Sequence, residues 1–162
     1  MTELVPIARA HEPVLRELLN LYLYELSDLV GADPDEHGRF EYDWLDHYWT
    51  EPDRHAFFIR RDATTAGFVL INAHTASGAA HGIAEFFVLR RHRRSGIGRT
   101  AAIAAFTRFP GTWELVTDVE NVRAAAFWRA TITAFAPAQL VEHPRGIADW
   151  TGPSWTFTVS DR

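Results

Sequence analysis

The sequence predicts one mixed α+β domain, and three observations carry that prediction. Apolar residues recur at helical spacing in several stretches, short apolar runs bounded by turn residues separate them, and the middle of the chain reads strand, loop, helix, strand, helix. The composition agrees: of 162 residues 47% are apolar, 23% charged and 13% aromatic, which excludes a disordered, collagenous or fibrous chain. A chain of this length buries roughly two-thirds of its unfolded surface and needs no staples. Cysteine is absent, so disulfides, thiolate zinc sites and a cysteine nucleophile are excluded, and a reducing compartment is compatible.

In order, Val5 to Arg9 reads as a first short strand. An amphipathic helix follows from Glu12 to Leu29, with Leu15, Leu18, Leu19, Tyr22, Leu23 and Leu26 on one face, and Gly31-Ala32-Asp33-Pro34 ends it. A second short helix is expected from Tyr42 to Trp49. Ala56 to Arg60, Gly67 to Asn72 and Gly82 to Leu89 read as an antiparallel meander with a turn around Ser77-Gly78. Arg90 to Gly96 is too polar for either core and reads as a loop. Gly96 to Phe109 is a helix with Ile97, Ala101, Ala104, Ala105 and Phe109 inward, and Trp113 to Val119 is a strand. Asn121 suits the N-cap of a helix running to Phe135, with Pro137 just beyond it. Gln139 to Glu142 and Trp155 to Val159 are late strands. The segment that holds them, with Trp150 and Trp155, could complete the sheet or supply a dimer contact.

The formal charge of -5 argues against nucleic acid, and its distribution says more. All 16 basic residues are arginine. Ten acids and two arginines lie between Glu25 and Arg54, a balance of -8, whereas Arg90 to Arg99 holds five arginines and no acid. This asymmetry points to an anion at the second segment and a cation near the first, against the plain alternative of two solvated faces. The start of the chain has Glu3 and no apolar run of signal-peptide type. The longest uncharged run, Ala63 to Ala84, is broken by glycines and polar residues as a hairpin is. The expectation is a soluble cytoplasmic protein without membrane contact.

Arg93-Arg94-Ser95-Gly96-Ile97-Gly98 places two glycines where a strand hands over to a helix. Glycine lets main-chain N–H groups converge on a ligand, and the helix N-terminus adds about half a positive charge, so the segment suits a diphosphate. Gly96 to Ala101 also fits the dinucleotide pattern G-x-G-x-x-A, with Asp118 in the place of the ribose acid. In that fold, however, the first glycine follows the strand almost directly, and here six polar or basic residues intervene after Leu89. A phosphate loop of Walker type is excluded because the chain has no lysine.

These residues resemble the signature of the GCN5-related N-acetyltransferase (GNAT) superfamily, Gln or Arg followed by x-x-Gly-x-Gly/Ala. Here it stands as Arg93 to Gly98, with Val88 as the valine that precedes it. The second family motif, Asn-x-x-Ala-x-x-Phe/Leu-Tyr, stands as Asn121 to Trp128. The resemblance is specific from Ala84 to Phe135. It implies one GNAT-like domain over residues 1–162, whose mixed, mostly antiparallel sheet is splayed at the central strand by a β-bulge expected near Phe86 to Val88. It also implies acetyl-CoA as co-substrate. Main-chain groups near Phe87 and Val88 would pair with the pantetheine arm, and Arg93, Arg94, Ser95, Gly96, Ile97, Gly98 and Arg99 would hold the pyrophosphate. Asn121, Phe127 and Trp128 would line the other wall.

The family reaction is direct attack of a neutral amine on a thioester, with no metal. An alkylammonium of pKa about 10 must first lose a proton, which calls for a base. Glu85, in the apolar context Ile83-Ala84-Glu85-Phe86-Phe87-Val88, is the candidate, because burial raises a carboxylate pKa. The plain alternative is a strand glutamate paired with Arg60 or Arg61. His81 and His92 are weaker candidates. Trp128 departs from the family, which commonly has tyrosine there as the acid for the leaving thiolate; an indole N–H cannot serve as one. The acidic segment with Tyr22, Tyr24, Trp44, Tyr48 and Trp49 forms a wall suited to a cationic amine. The eight histidines show no metal-ligand spacing, so no metal is assigned. The reading is an acetyltransferase acting on a primary amine of a small molecule. The rivals are a non-catalytic acyl-CoA-binding domain of the same fold and, less well placed, a dinucleotide-dependent oxidoreductase.

Overall fold

The structure is a computed structural model that describes residues 1–161. In chain order it comprises β1 (Thr2–Pro6), a 3-10 turn (Arg9–His11), α1 (Glu12–Val30), a second 3-10 turn (Leu45–Trp49), β2 (His55–Arg61), β3 (Thr64–Asn72) and β4 (His81–Val88). There follow a third 3-10 turn (Arg90–His92), α2 (Ile97–Arg108), β5 (Gly111–Val116), α3 (Val122–Phe135), β6 (Ala138–His143) and β7 (Ser154–Val159). The strands form one sheet in the order β1-β2-β3-β4-β5-β7-β6, antiparallel at every pairing except β4 with β5. The mixed, mostly antiparallel sheet flanked by helices is the architecture the sequence led us to expect, and β6 and β7 complete it.

Several boundaries moved. The first strand ends at Pro6, not Arg9, because Arg9–His11 coils into the approach to α1. The expected helix at Tyr42 to Trp49 is only a 3-10 turn over Leu45–Trp49. β5 stops at Val116: Thr117 still donates its N–H and hydroxyl to the Pro153 carbonyl at 3.0 and 2.9 Å, but proline has no N–H to return to the ladder. α1 obeys its apolar stripe, with Leu15 and Leu19 buried, and ends at Gly31, whose φ of 65° is the left-handed conformation that glycine adopts without penalty.

The core divides between the two faces of the sheet. On one, Phe57, Val69, Ile71, Trp113, Leu115, Trp155 and Phe157 pack against α2 and α3 through Ala102, Ala105, Phe106, Trp128 and Ile132. On the other, Ala56, Phe58, Phe68, Leu70 and Phe87 pack against Leu15 and Leu19 of α1 and against Leu45 and Tyr48. Two irregularities shape the centre. Leu70 pairs with Glu85 while Ile71 pairs with Ile83, so Ala84 is an extra residue in β4. The bulge therefore lies at Ala84, ahead of the Phe86 to Val88 stretch where it was expected. It swaps the faces beyond it: Ile83, Phe86 and Val88 join the helix α2/α3 side, while Glu85 and Phe87 face α1. Secondly, β4 and β5 pair only at His81 with Trp113 and Gly82 with Glu114, then diverge. No helix among the described residues is long and apolar enough to cross a membrane.

Candidate active site

Past Gly82 the sheet is split, and β4 forms one wall of the gap. Leu89 N–H donates to the Ala66 carbonyl of the β3 side at 2.8 Å. Because successive residues of a strand turn their polar groups to opposite sides, those of Val88 and Phe86 face the gap and those of Phe87 face β3. Of the two residues expected to offer main-chain groups to a ligand, Val88 turns its own toward the gap, its carbonyl already accepting from Arg93 Nε at 2.6 Å. Phe87, a core residue 3% exposed, turns its own toward β3, and Phe86 faces the gap. Across the gap, the Phe86 ring stacks on Phe127 at 5.7 Å and meets Trp128 edge-on at 5.0 Å.

At the open end of β4 the chain makes the turn from Arg90 to Gly96. Arg94 and Gly96 hold left-handed conformations, φ 61° and 82°, which fold the turn back under the N-terminus of α2. Among the described residues, no protein acceptor takes the N–H of Arg94, Ser95, Gly96, Ile97, Gly98 or Arg99, and α2 has no side-chain cap. Helix geometry leaves the last four of these, Gly96 to Arg99, orphaned by default, and the turn adds Arg94 and Ser95. Six donors on an exposed, positively polarised turn make an anion cradle of the kind a pyrophosphate fills. Gly98 is needed for close approach: a Cβ there would meet the Phe127 ring at 3.3 Å and Val88 Cγ2 at 3.6 Å.

The arginines divide by role. Arg91, Arg94 and Arg99 are exposed and make no ion pair among the described residues. Arg93 is already engaged: Nε donates to the Val88 carbonyl at 2.6 Å, Nη2 to Glu25 of α1 at 2.7 Å, and its guanidinium lies over the Phe87 ring at 5.5 Å. Arg90 also holds Glu25, at 3.0 Å. Arg93 thus braces the turn instead of offering its charge to a ligand. Ser95 caps the preceding turn through its hydroxyl on the His92 carbonyl at 2.7 Å. Asn121 caps α3, its Oδ1 accepting from Ala124 N–H at 3.1 Å. Trp128, 6% exposed, packs among Phe86, Phe106 and Phe127 as core.

Glu85 faces α1 beside the bulge. Burial pushes its pKa up, to about 7, although the hydroxyls of Tyr22 and Tyr42, which approach the carboxyl, pull the other way. Near neutrality such a group is divided between a carboxylate that accepts a proton and an acid that returns it. The alternative pairing with Arg60 or Arg61 is overturned: both lie on β2, two strands away, and Arg60 donates to the Ala63 carbonyl at 2.8 Å. His81 sits where β4 and β5 still pair, its ring against Phe109 and Trp113, and His92 lies in the turn after β4. Sequence reasoning reached Tyr22 and Tyr48 as members of an aromatic wall, but not their convergence with Tyr42 on one carboxyl. Nothing local signals it, since the three come from α1, a loop and a 3-10 turn. It also missed Glu51, Asp53 and His74, whose ligand atoms lie within 4.8 Å of one another. Spacing hides this group, and Arg54 and His47 already bond Glu51.

The parallel central pair, the opened gap and the donor-lined turn define the fold of an acetyltransferase, and a family model described as the acetyltransferase (GNAT) family matches residues 15–131. The chain belongs to the GNAT acetyltransferase family. No curated protein matches the sequence. Among solved structures, an acetyltransferase from Thermus thermophilus superimposes with a TM-score of 0.68 at 17% identity, covering 98% of this chain and 97% of that one. A spermidine N-acetyltransferase from Vibrio cholerae in complex with CoA and spermine gives 0.64 at 13% identity, covering 99% and 96%. An N-acetyltransferase, PaiA, from Thermoplasma acidophilum in complex with coenzyme A gives 0.62 at 11% identity, covering 98% and 99%. At these identities the likeness is one of fold.

Proposed function

We propose that this chain moves an acetyl group from acetyl-CoA to a primary amine of a small molecule by direct attack, in the cytoplasm. The carrying observation is that six unclaimed N–H groups, Arg94 to Arg99, stand at the open end of the strand that also bears Glu85. Structures of the same fold with coenzyme A, and in one case spermine, support the choice of donor and acceptor class.

In this reading the N–H groups from Arg94 to Arg99 hold the pyrophosphate, with Arg94 and Arg99 adding charge. The main-chain groups of Val88 direct the pantetheine arm into the gap, and Phe127 and the cap at Asn121 form the opposite wall. Acetyl-CoA, when bound, supplies the thioester carbonyl as electrophile. Glu85, ionised in about half of the molecules near pH 7, removes a proton from the incoming alkylammonium. The amine nitrogen then bonds the carbonyl carbon, the C–S bond breaks with the thiolate leaving, and the second proton shed by the nitrogen goes to that thiolate or to water. Trp128 offers no acid, which a thiol of pKa about 8.5 tolerates as a leaving group. In this reading the N-terminus of α3, capped by Asn121, steadies that charge. The acidic segment from Glu25 to Asp53, with Trp44 and Tyr24 exposed, would draw a cationic acceptor.

Burial of Trp128 where the family has a phenol favours one second reading, a domain that binds acyl-CoA without turnover. Following free thiol during incubation with acetyl-CoA and a panel of amines separates the two. Release that falls about 100-fold or more in Glu85→Gln supports transfer with that base. Release undiminished in the variant removes Glu85 from the mechanism, and binding without release under any amine favours the second reading.

A further inference from the structure

Tyr48 poses a problem that packing alone leaves open. Its side chain is 5% exposed, and its hydroxyl, sealed from solvent, makes no hydrogen bond among the described residues. A buried hydroxyl without a partner is rare in a folded protein and calls for an explanation. The Tyr48 hydroxyl neighbours that of Tyr42, and the hydroxyls of Tyr42 and Tyr22 both approach the Glu85 carboxyl. Behind Tyr48, Arg54 is 8% exposed, places its guanidinium 5.5 Å from the ring centre, and is held by Glu51 through Nε at 2.6 Å. Arg54 thus braces the ring and also approaches the hydroxyl from the donor side, which leaves the Tyr48 O–H itself without an acceptor.

We propose that Tyr48 is a positioning residue for acetyl transfer: its O–H donates to Tyr42, and Tyr42 donates to Glu85, whenever Glu85 is ionised. This rests on the proposed role of Glu85 as base. The logic is one of donor count. A carboxylate only accepts, so Tyr22 and Tyr42 must both point their O–H groups at it; that leaves the Tyr42 oxygen free to accept, and Tyr48 is the sealed donor beside it. Once Glu85 takes a proton from the ammonium, its demand for donors falls and the chain is free to relax. A chain of this kind strengthens bond by bond in a low-dielectric site. The charged or titratable groups around Glu85 are then Tyr22 from α1, Tyr42 from the connecting loop, and Tyr48 with Arg54 and Glu51 behind it. β3 contributes the apolar Leu70.

The test is Tyr48→Phe, which keeps the ring and deletes the hydroxyl, measured on the full chain by two methods. The first is the pH profile of kcat/KM for thiol release. The second is the titration of the Glu85 carboxyl carbon by NMR in protein labelled at glutamate, which needs no turnover. Loss of a donor to the ionised form raises the Glu85 pKa, so the acid limb and the carbon titration should both move up by about half a pH unit or more. Activity at pH 7 should fall about twofold or more, and at pH 9 should stay near that of the parent. In a Tyr42→Phe background the same change should add nothing, because the path is interrupted. An unmoved carbon titration, or an equal loss of rate at every pH, overturns the proposal. A shifted titration in a protein that acetylates no amine keeps the chain and discards the proposed function.

Discussion

Glu25 on α1 and Arg93 in the turn after β4 meet at 2.7 Å, and through this pair the first helix fixes the turn that leads into α2. The same guanidinium holds the Val88 carbonyl at 2.6 Å, so one side chain links acceptor wall, central strand and cradle. Its neighbour Arg94 is exposed and unpaired among the described residues. The two arginines should therefore fail differently. Arg93→Ala is expected to cost about 1–2 kcal/mol and a few degrees in Tm, read by calorimetry. Arg94→Ala should leave Tm unchanged and weaken coenzyme A about fivefold at low salt, less at high salt, read by titration calorimetry.

The turn depends on two glycines for different reasons. Gly96 holds a φ of 82°, where a Cβ is strained, and Gly98 has the Phe127 ring 3.3 Å from where its Cβ would be. Gly96→Ala should destabilise by about 1 kcal/mol through the backbone. Gly98→Ala should keep most of the stability but push the helix off Phe127, and coenzyme A affinity should drop about tenfold or more. Equal affinity in both variants and parent would contradict this division.

Glu85 also makes stability depend on pH. Its folded pKa, about 7, lies above the ordinary value of 4.5, so the native state binds the proton more tightly than the unfolded state. Stability is then full below about pH 4.5 with respect to this group and is lost as pH rises through 7. Glu85→Gln removes the charge, so urea denaturation should show the variant more stable by on the order of 2 kcal/mol at pH 8.5 and about equal at pH 4.5.

Much of this was legible in the sequence, for physical reasons that differ by element. α1 and α3 were readable because an apolar stripe and a cap are local: Leu15 to Leu26 in one, and Asn121 with its N–H partner three residues on in the other. The turn between β4 and α2 was readable because glycines and arginines between a strand and a helix fit neither element's core. What stayed hidden depends on packing at a distance. Arg93 looked like one more phosphate contact until Glu25, 68 residues away, claimed it. The bulge was placed near the motif that lies beside it, whereas register with β3 puts it at Ala84. Tyr42, Tyr48 and Glu85 meet only once the loop before β2 folds over the sheet.

His55 adds a dependence of opposite sign. Burial and the nearby His81 hold its pKa below 6.5, so protonation costs folding free energy. Its contribution is present above the unfolded value of 6.5 and is lost as pH falls through the folded one. In a Glu85→Gln background, which removes the opposing dependence, the urea midpoint should decline between pH 7 and pH 5, and adding His55→Gln should lessen that decline; equal slopes would remove His55 as the cause.

The cradle itself is the central claim, and the amide resonances report it directly. Titrating coenzyme A into nitrogen-15-labelled protein should shift the N–H signals of Arg94 to Arg99 together, saturably, and with larger changes than those elsewhere in the chain. If those signals stay still while others move, or if nothing moves, the turn after β4 does not hold the pyrophosphate and the account fails.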